Sequence, residues 1–162
     1  YTINIGESKW LNQCWRYSVI KGNNMYHKEY TLEEITGMDK NTIHESLGIE
    51  ITELGKDSLS GKMPVDNRTV QPFRLLHGGA NVVLAESLGS LASSLIVNPD
   101  THYAVGLNIN ASHMRPVKEG FVYGEAKPVN IGRTTHIWNI DIKNKEGKLV
   151  CNCRLTMAIV AK

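Results

Sequence analysis

The sequence contains few cysteines, little net charge and no long apolar run, and each shortage excludes a class of protein. Only three of the 162 residues are cysteines. Cys14, Cys151 and Cys153 form no CxxC pair, so neither a disulfide framework nor a structural zinc site is expected. The formal net charge of +2 lacks the clustered basic excess of proteins that bind nucleic acids or membrane surfaces. We therefore expect no metal, no nucleic acid and no membrane among the partners of this chain.

The stretch with the least charge, residues 75–99, is interrupted by a carboxylate and by several serines and glycines. It differs from the run of about 20 apolar residues that crosses a membrane. Residues 1–24 lack the charged start, apolar centre and small-residue cleavage site of a secretory signal. These features predict a soluble, cytoplasmic protein. A length of 162 residues with 41% hydrophobic content is enough for one domain with a sizeable core.

The chain divides into an N-terminal extension of unknown role, residues 1–30, and one domain, residues 31–162. The extension shows no sustained helical or strand periodicity. Thr31 and Glu34 have the spacing of a capping box, which predicts a short helix at the start of the domain. The next expected elements are a short helix and a hairpin, over residues 41–46, 49–54 and 58–63.

Residues 79–97 predict one long helix, because they are apolar on most of the helical circumference and end at Asn98-Pro99. We expect this helix to be enclosed on nearly all sides. Four alternating runs predict strands over residues 101–115, 120–130, 134–143 and 148–161. In the first strand, the expected apolar face consists of Tyr103, Val105, Leu107 and Ile109. A long helix followed by antiparallel strands predicts an α+β fold in which a sheet wraps around the helix.

Glu86 is the only Asp, Glu, Lys or Arg between positions 75 and 99. A lone carboxylate in apolar surroundings is costly, and catalytic bases are often built in this way, so Glu86 is a candidate catalytic residue. The alternative is that Glu86 faces solvent on a polar stripe with Asn81, Ser90 and Ser93, or pairs with a distant arginine. The residue types favour neither interpretation.

The sequence His77-Gly78-Gly79 directly precedes this helix. Unpaired N–H groups and the helix dipole favour negative charge at such a position. With a rise of about 1.5 Å per residue, Glu86 lies about 12 Å along the helix axis from Gly78. This distance is too long for direct contact. Gly78 and Glu86 of one chain therefore need not serve one reacting carbonyl, and a second chain would have to complete the site. Ser90, one turn beyond Glu86, is placed to hydrogen-bond the carboxylate or a substrate.

The residues Gln71, His77-Gly78-Gly79, Glu86 and Ser90 have a specific spacing. Because of this spacing, residues 31–161 resemble the hotdog-fold acyl-CoA thioesterases of the superfamily that includes 4-hydroxybenzoyl-CoA thioesterase. Within that superfamily the resemblance is strongest to the bacterial 1,4-dihydroxy-2-naphthoyl-CoA hydrolases and the enterobactin-pathway proofreading thioesterase. It implies a hotdog fold and hydrolysis of an aromatic acyl-CoA. No cofactor is implied beyond the coenzyme A of the substrate.

Position by position, the resemblance implies two groups of site residues. The Gly78 N–H would stabilise the oxyanion, Gln71 would position the carbonyl or the water, and His77 would orient the loop or the thioester. Glu86 of the other subunit would be the nucleophile or the general base, and Ser90 would orient the water or the acyl group. Contacts to the substrate and the CoA phosphates are implied for His113, Arg115, Gly132, Arg133 and Thr134.

A site divided in this way implies at least a homodimer with continuous sheet pairing, or a dimer of dimers that forms a homotetramer. The sequence does not distinguish between several acyl groups: the naphthoyl group of menaquinone biosynthesis, hydroxybenzoyl and phenylacetyl groups, and the substrates of a proofreading thioesterase. Two other functions also stay open, a non-catalytic module that binds acyl-CoA and a dehydratase or hydratase. Of the remaining residues, His102 and His136 are interpreted as half-buried strand residues, and Cys151 and Cys153 as core residues. His27 and His44 are given no role.

Overall fold

The computed structural model describes residues 25–37 and 39–162, which form three helices and six strands. The helices are α1 (Leu32–Thr36), α2 (Ile43–Leu47) and α3 (Gly78–Ile96). The strands are β1 (Glu50–Leu54), β2 (Leu59–Val65), β3 (His102–His113), β4 (Gly120–Ile131), β5 (Thr135–Lys143) and β6 (Leu149–Ala161). All the predicted elements are present, with bounds that differ from the predicted ones by a few residues at most.

The two short helices begin and end at the residues that their sequences favour. Thr31 and Glu34 form the predicted capping box at the start of α1. Thr42 caps α2, and Gly48 ends it in the left-handed conformation, with a φ of 69°. These caps satisfy backbone groups that helices of five residues cannot pair internally.

The strands form one antiparallel sheet in the order β1-β2-β4-β5-β6-β3, and α3 packs across one face of it. Alternate side chains of β5 and β6 are buried on the helix side, because successive residues of a strand point to opposite faces. The core includes Trp138, Ile140, Leu155 and Met157, together with Leu84 of α3. The predicted α+β fold, a sheet wrapped around one long helix, is confirmed.

Glycines let α3 lie very close to the sheet. A Cβ atom on Gly124 of β4 would lie 2.7 Å from Leu88 Cδ1. A Cβ atom on Gly89 of α3 would collide with Leu155 Cδ2 of β6. Larger residues at these two positions would push the helix away from the strands and open the core.

A buried polar contact fixes α3 against β5. Trp138 Nε1–H donates to Ser93 Oγ at 2.7 Å, and Ser93 Oγ lies 3.1 Å from His136 Nδ1. Burial lowers the pKa of His136 to about 4, so the imidazole is neutral near pH 7 and its Nδ1 accepts the Ser93 hydroxyl proton. The expectation of a half-buried His136 is corrected, since only 2% of this residue is exposed.

One face of α3 remains open in the single chain. Val82, Val83, Glu86, Ser90 and Leu91 are half-buried, whereas the residues facing the sheet are fully covered. The expectation of a helix enclosed on nearly all sides is therefore wrong for this face. The reason is that one sheet covers only one side of a helix, and on the open side the described residues that line a cavity with α3 are Ile43 and His44 of the short α2.

The expected apolar face of β3 is also corrected. A bulge interrupts the pairing with β6 between Gly106 and Asn108 and shifts the alternation by one residue. Ile109 lies opposite Leu155 on the core side, whereas Tyr103 and Val105 point outward and are 48% and 43% exposed. β3 is an edge strand with β6 as its only partner, so one side of a 12-residue strand has no pairing partner in the described chain.

The last residues of the predicted extension pack against the domain. Met25 N–H donates to Lys56 O at 3.2 Å, and His27 N–H donates to Leu95 O at 2.8 Å. Between them, Tyr26 is buried in the core, and its hydroxyl donates to Ser58 O. The rest of the predicted extension, residues 1–24, lies outside the described residues.

Candidate active site

The first turn of α3 presents one free N–H group. His77 is the N-cap, and its Nδ1 accepts the Gly79 N–H at 2.8 Å, while its carbonyl accepts the Ala80 N–H at 3.0 Å. The Gly78 N–H has no hydrogen-bond partner within residues 25–37 and 39–162. It lies at the positive end of a 19-residue helix, where a developing negative charge is stabilised.

Two other predicted site residues lie at this end of α3. A Cβ atom on Gly78 would lie 2.9 Å from His113 Nε2, so the imidazole at the end of β3 contacts the helix start. Gln71 lies in the loop that leads to the helix, which a bridge between Val70 and Leu76 closes. Its side-chain Oε1 accepts the Phe73 N–H, which leaves the Gln71 amide NH₂ as its free donor.

Glu86 lies farther along α3, on the open face of the helix. Its Oε1 accepts a hydrogen bond from Ser90 Oγ at 3.3 Å, and Ser90 Oγ lies 3.6 Å from Met157 Sδ. No lysine, arginine or histidine of the described chain forms an ion pair with Glu86. The alternative of a solvent-facing polar stripe is wrong, because Asn81 and Ser93 are buried.

The Glu86 carboxylate also lies against the backbone of β3. A Cβ atom on Gly106 would lie 2.5 Å from Glu86 Oε1. Glycine leaves room for the carboxylate in this position, immediately before the bulge of the edge strand; a larger residue would require the Glu86 side chain to shift. Glu86 therefore lies beside the strand edge on which a further strand can pair.

Glu86 and Ser90 line a cavity of about 470 Å³ between α3 and α2. Most of its wall is apolar, with Ile43, Val82, Val83 and Leu91 among the lining residues. His44 also lines the cavity, a residue to which the sequence assigned no role. Nothing in the sequence indicates this placement, because α2 and α3 are joined by 30 residues that include a hairpin.

The predicted coenzyme A contacts lie in other parts of the chain. Arg115 Nη1 donates to the Leu149 carbonyl at 2.5 Å. In the turn between β4 and β5, Gly132 N–H donates to Thr135 O, and Thr134 O accepts the Ile159 N–H. Arg133 is exposed and forms no ion pair with a described residue. No hydrogen bond or ion pair within the described chain joins these residues to Gly78 or Glu86.

Two further observations concern the metal and membrane expectations. Within the described residues, no group of three or more His, Cys, Asp or Glu side chains is arranged to hold a metal ion. α3 is long and apolar enough to cross a membrane by length and composition, with a mean hydropathy of 1.2 over its best window. Half of that window is buried inside the fold, as in the core helix of a soluble protein.

Comparison with known proteins identifies the family. The thioesterase superfamily model matches residues 73–151. The chain is 44% identical to the 1,4-dihydroxy-2-naphthoyl-CoA hydrolase of Escherichia coli K12 over 136 residues, which cover 84% of this chain and 99% of that protein.

Solved structures agree with this assignment. A mutant thioesterase of Pseudomonas aeruginosa superposes with a TM-score of 0.84 at 46% identity, covering 86% of this chain and all of that one. Two mutants of a Staphylococcus aureus thioesterase, one with a glutamate and one with a glutamine replaced by alanine, superpose with TM-scores of 0.72 and 0.70 at 33% identity. They cover 74% and 72% of this chain, and 99% and 97% of theirs. The sheet around a single long helix and these relatives together establish that the chain belongs to the thioesterase superfamily of hotdog-fold enzymes.

Proposed function

We propose that this chain hydrolyses the thioester of an aromatic acyl-CoA, with Glu86 and Gly78 as the central catalytic groups. The observation that carries the proposal is the position of Glu86, a carboxylate in a largely apolar cavity with Ser90 as its hydrogen-bond partner. A carboxylate in such surroundings is poised to take a proton from water or to attack a carbonyl. The free Gly78 N–H would stabilise the oxyanion that forms in either case.

The residues that were substituted in a relative support roles for Gln71, in the loop before α3, and Glu86, on α3. The glutamine and the glutamate replaced in the Staphylococcus aureus thioesterase are 15 positions apart. Gln71 and Glu86 have the same separation in this chain. We infer that Gln71 donates its free amide N–H to the substrate carbonyl or to the water, and that His77 orients the loop through its bond to Gly79.

Each site is shared between two copies of the chain. Glu86 lies about 12 Å along the helix axis from Gly78 in one chain, which is too far for both to contact one thioester carbonyl. Glu86 and Ser90 of one subunit would therefore meet Gly78, Gln71 and His77 of the other. The open edge of β3, next to Glu86, offers a 12-residue strand for antiparallel pairing with its copy. A homodimer, alone or doubled to a homotetramer, follows.

The rest of the substrate would be bound outside the cavity. We infer that His113 contacts the thioester end, because it lies against Gly78. Arg115, the Arg133 guanidinium and the backbone N–H groups of Arg133 and Thr134, in the turn that Gly132 begins, would bind the CoA phosphates. The reaction requires a base, water and an oxyanion donor, so no metal or redox cofactor is proposed. The acyl group proposed first is 1,4-dihydroxy-2-naphthoyl, a precursor in menaquinone biosynthesis in the cytoplasm, because the Escherichia coli relative is named for that substrate.

The test is the release of free thiol from benzoyl-CoA and 1,4-dihydroxy-2-naphthoyl-CoA. We expect Glu86→Gln to lower kcat by roughly 10²- to 10⁴-fold, the usual contribution of an acid–base group. Glu146→Gln, in the exposed turn before β6, is the matched control and should keep the wild-type rate. An unchanged rate in Glu86→Gln would overturn the proposal. Hydration of crotonyl-CoA without thiol release would instead identify a hydratase, and tight binding without turnover would identify a binding module.

A further inference from the structure

The cavity that contains Glu86 has a second polar region, which α2 provides. His44 lines the cavity, and its Nδ1 lies 2.6 Å from Asp39 Oδ1. The two side chains are only 14% and 21% exposed. The imidazole is therefore held in one orientation by a carboxylate that is itself largely covered.

The contact with Asp39 determines which ring nitrogen of His44 is available. An ionised carboxylate only accepts hydrogen bonds, so the proton of a neutral His44 lies on Nδ1 and Nε2 keeps its lone pair. Within the described residues, Nε2 has no hydrogen-bond partner. The wall of the cavity is mostly apolar, so displacing water from a polar atom there costs free energy unless the substrate supplies a partner.

The adjoining wall defines what kind of partner fits. Val82, Val83 and Leu91 are apolar, which suits an aromatic ring and not the charged parts of coenzyme A. A hydroxyl group on such a ring both donates and accepts hydrogen bonds. It therefore pairs with Nε2 of a neutral imidazole and also with the N–H of a protonated one.

We propose that His44, oriented by Asp39, is a specificity-determining residue that hydrogen-bonds a hydroxyl group on the acyl part of the substrate. The proposal rests on the proposed function, because it takes the Glu86 cavity as the acyl site. It assigns a residue of this chain to the recognition of hydroxylated acyl groups, such as the 1,4-dihydroxy-2-naphthoyl group proposed first. An unsubstituted ring leaves Nε2 without water and without a partner, and this penalty produces the discrimination.

Asp39 also has a structural role, which the test must separate from specificity. Asp39 O also accepts the Thr42 N–H and hydroxyl, so this residue helps to shape the start of α2. Loss of that structural role would slow the hydrolysis of all esters equally. Loss of the hydroxyl contact would slow only the hydroxylated esters.

The experiment measures kcat/KM for benzoyl-CoA and for its 2-, 3- and 4-hydroxy derivatives. The variants are His44→Phe, which keeps a ring of similar size, Asp39→Ala and Asp39→Asn. His27→Phe, the same substitution at an exposed histidine that does not line the cavity, is the matched control. We expect wild-type enzyme to prefer at least one hydroxylated ester, and we expect His44→Phe to lower that preference by about tenfold or more while benzoyl-CoA hydrolysis continues.

The two aspartate variants test the orientation of the ring. Asp39→Ala should lower the preference as His44→Phe does, and Asp39→Asn should restore much of it, because the amide oxygen still accepts the Nδ1 proton. Thermal melting checks that each variant is folded. An equal preference in wild type and His44→Phe, or no preference in wild type, would overturn the proposal.

Failure of the proposed function gives a different result. If wild-type protein cleaves none of the esters, the thioesterase proposal fails, and the role of His44 is read from equilibrium binding of the same four uncleaved esters. Tighter binding of a hydroxylated ester that His44→Phe abolishes would support the role of His44. Equal dissociation constants for all four esters would reject it.

Discussion

At position 78, the backbone N–H and the small size of glycine can be changed separately. Gly78 is the first residue of α3, where proline fits because its ring presets the helical φ angle. His77 already has the extended conformation that a following proline requires, with φ and ψ of −70° and 134°. Gly78→Pro therefore removes the N–H with little change of the backbone.

We expect Gly78→Pro to lower kcat for benzoyl-CoA by roughly 10²- to 10³-fold, the usual loss for one oxyanion donor. Gly78→Ala is the matched control, because its Cβ presses on His113 as proline does but the N–H remains. Alanine should therefore be much less damaging than proline. Equal losses in the two variants would assign the effect to crowding of His113 and not to the oxyanion contact.

At the scale of elements, the stability of the fold depends on the contact between α3 and β5. His136 is neutral in the folded protein, with its pKa lowered to about 4 by burial, whereas the unfolded chain has the ordinary value of 6.5. Between these values the unfolded state binds more protons, so folding becomes less favourable as the pH falls from 6.5 toward 4. The full contribution is present above pH 6.5. Over this window the loss is roughly 3 kcal/mol.

The measurement is urea unfolding of wild type and His136→Asn at several pH values, at one fixed protein concentration. Asparagine can still accept the Ser93 hydroxyl proton but does not titrate. The free-energy difference between the two proteins should shrink as the pH falls from 6.5 to 4. A difference that stays constant over this range would show that His136 is not kept neutral by its surroundings.

At the scale of the whole molecule, the proposed sharing of each site predicts complementation. When Glu86→Gln and Gly78→Pro chains are mixed and allowed to exchange subunits, half of the dimers are mixed. Each mixed dimer has one site with an intact Glu86 and an intact Gly78. Two nearly inactive variants should then recover about a quarter of the wild-type rate of benzoyl-CoA hydrolysis.

The control is a mixture of Glu86→Gln with Glu86→Ala, which lacks an intact glutamate in every site and should stay inactive. If each chain held a complete site, the first mixture would be as inactive as its components. That result would reject the shared site without affecting the assignment of the family.

The sequence by itself determined the elements and the fold, because periodicity, caps and turn residues act within a few positions of one another. The run of small and apolar residues from Gly78 onward, and the alternation in β5 and β6, each have one favourable way to bury their surface. The spacing from Gln71 to Ser90 likewise predicted the candidate site, since these residues lie within 20 positions.

Only the tertiary structure decided the features that depend on distant segments. The bulge at Leu107 reverses the faces of β3 because of its pairing with β6, which alternation within one strand cannot reveal. The burial of Ser93 against β5, and the place of His44 in the cavity that Glu86 also lines, depend on how α2, α3 and the sheet pack together. Such contacts join residues far apart in sequence, and their free energies exist only once the chain has folded.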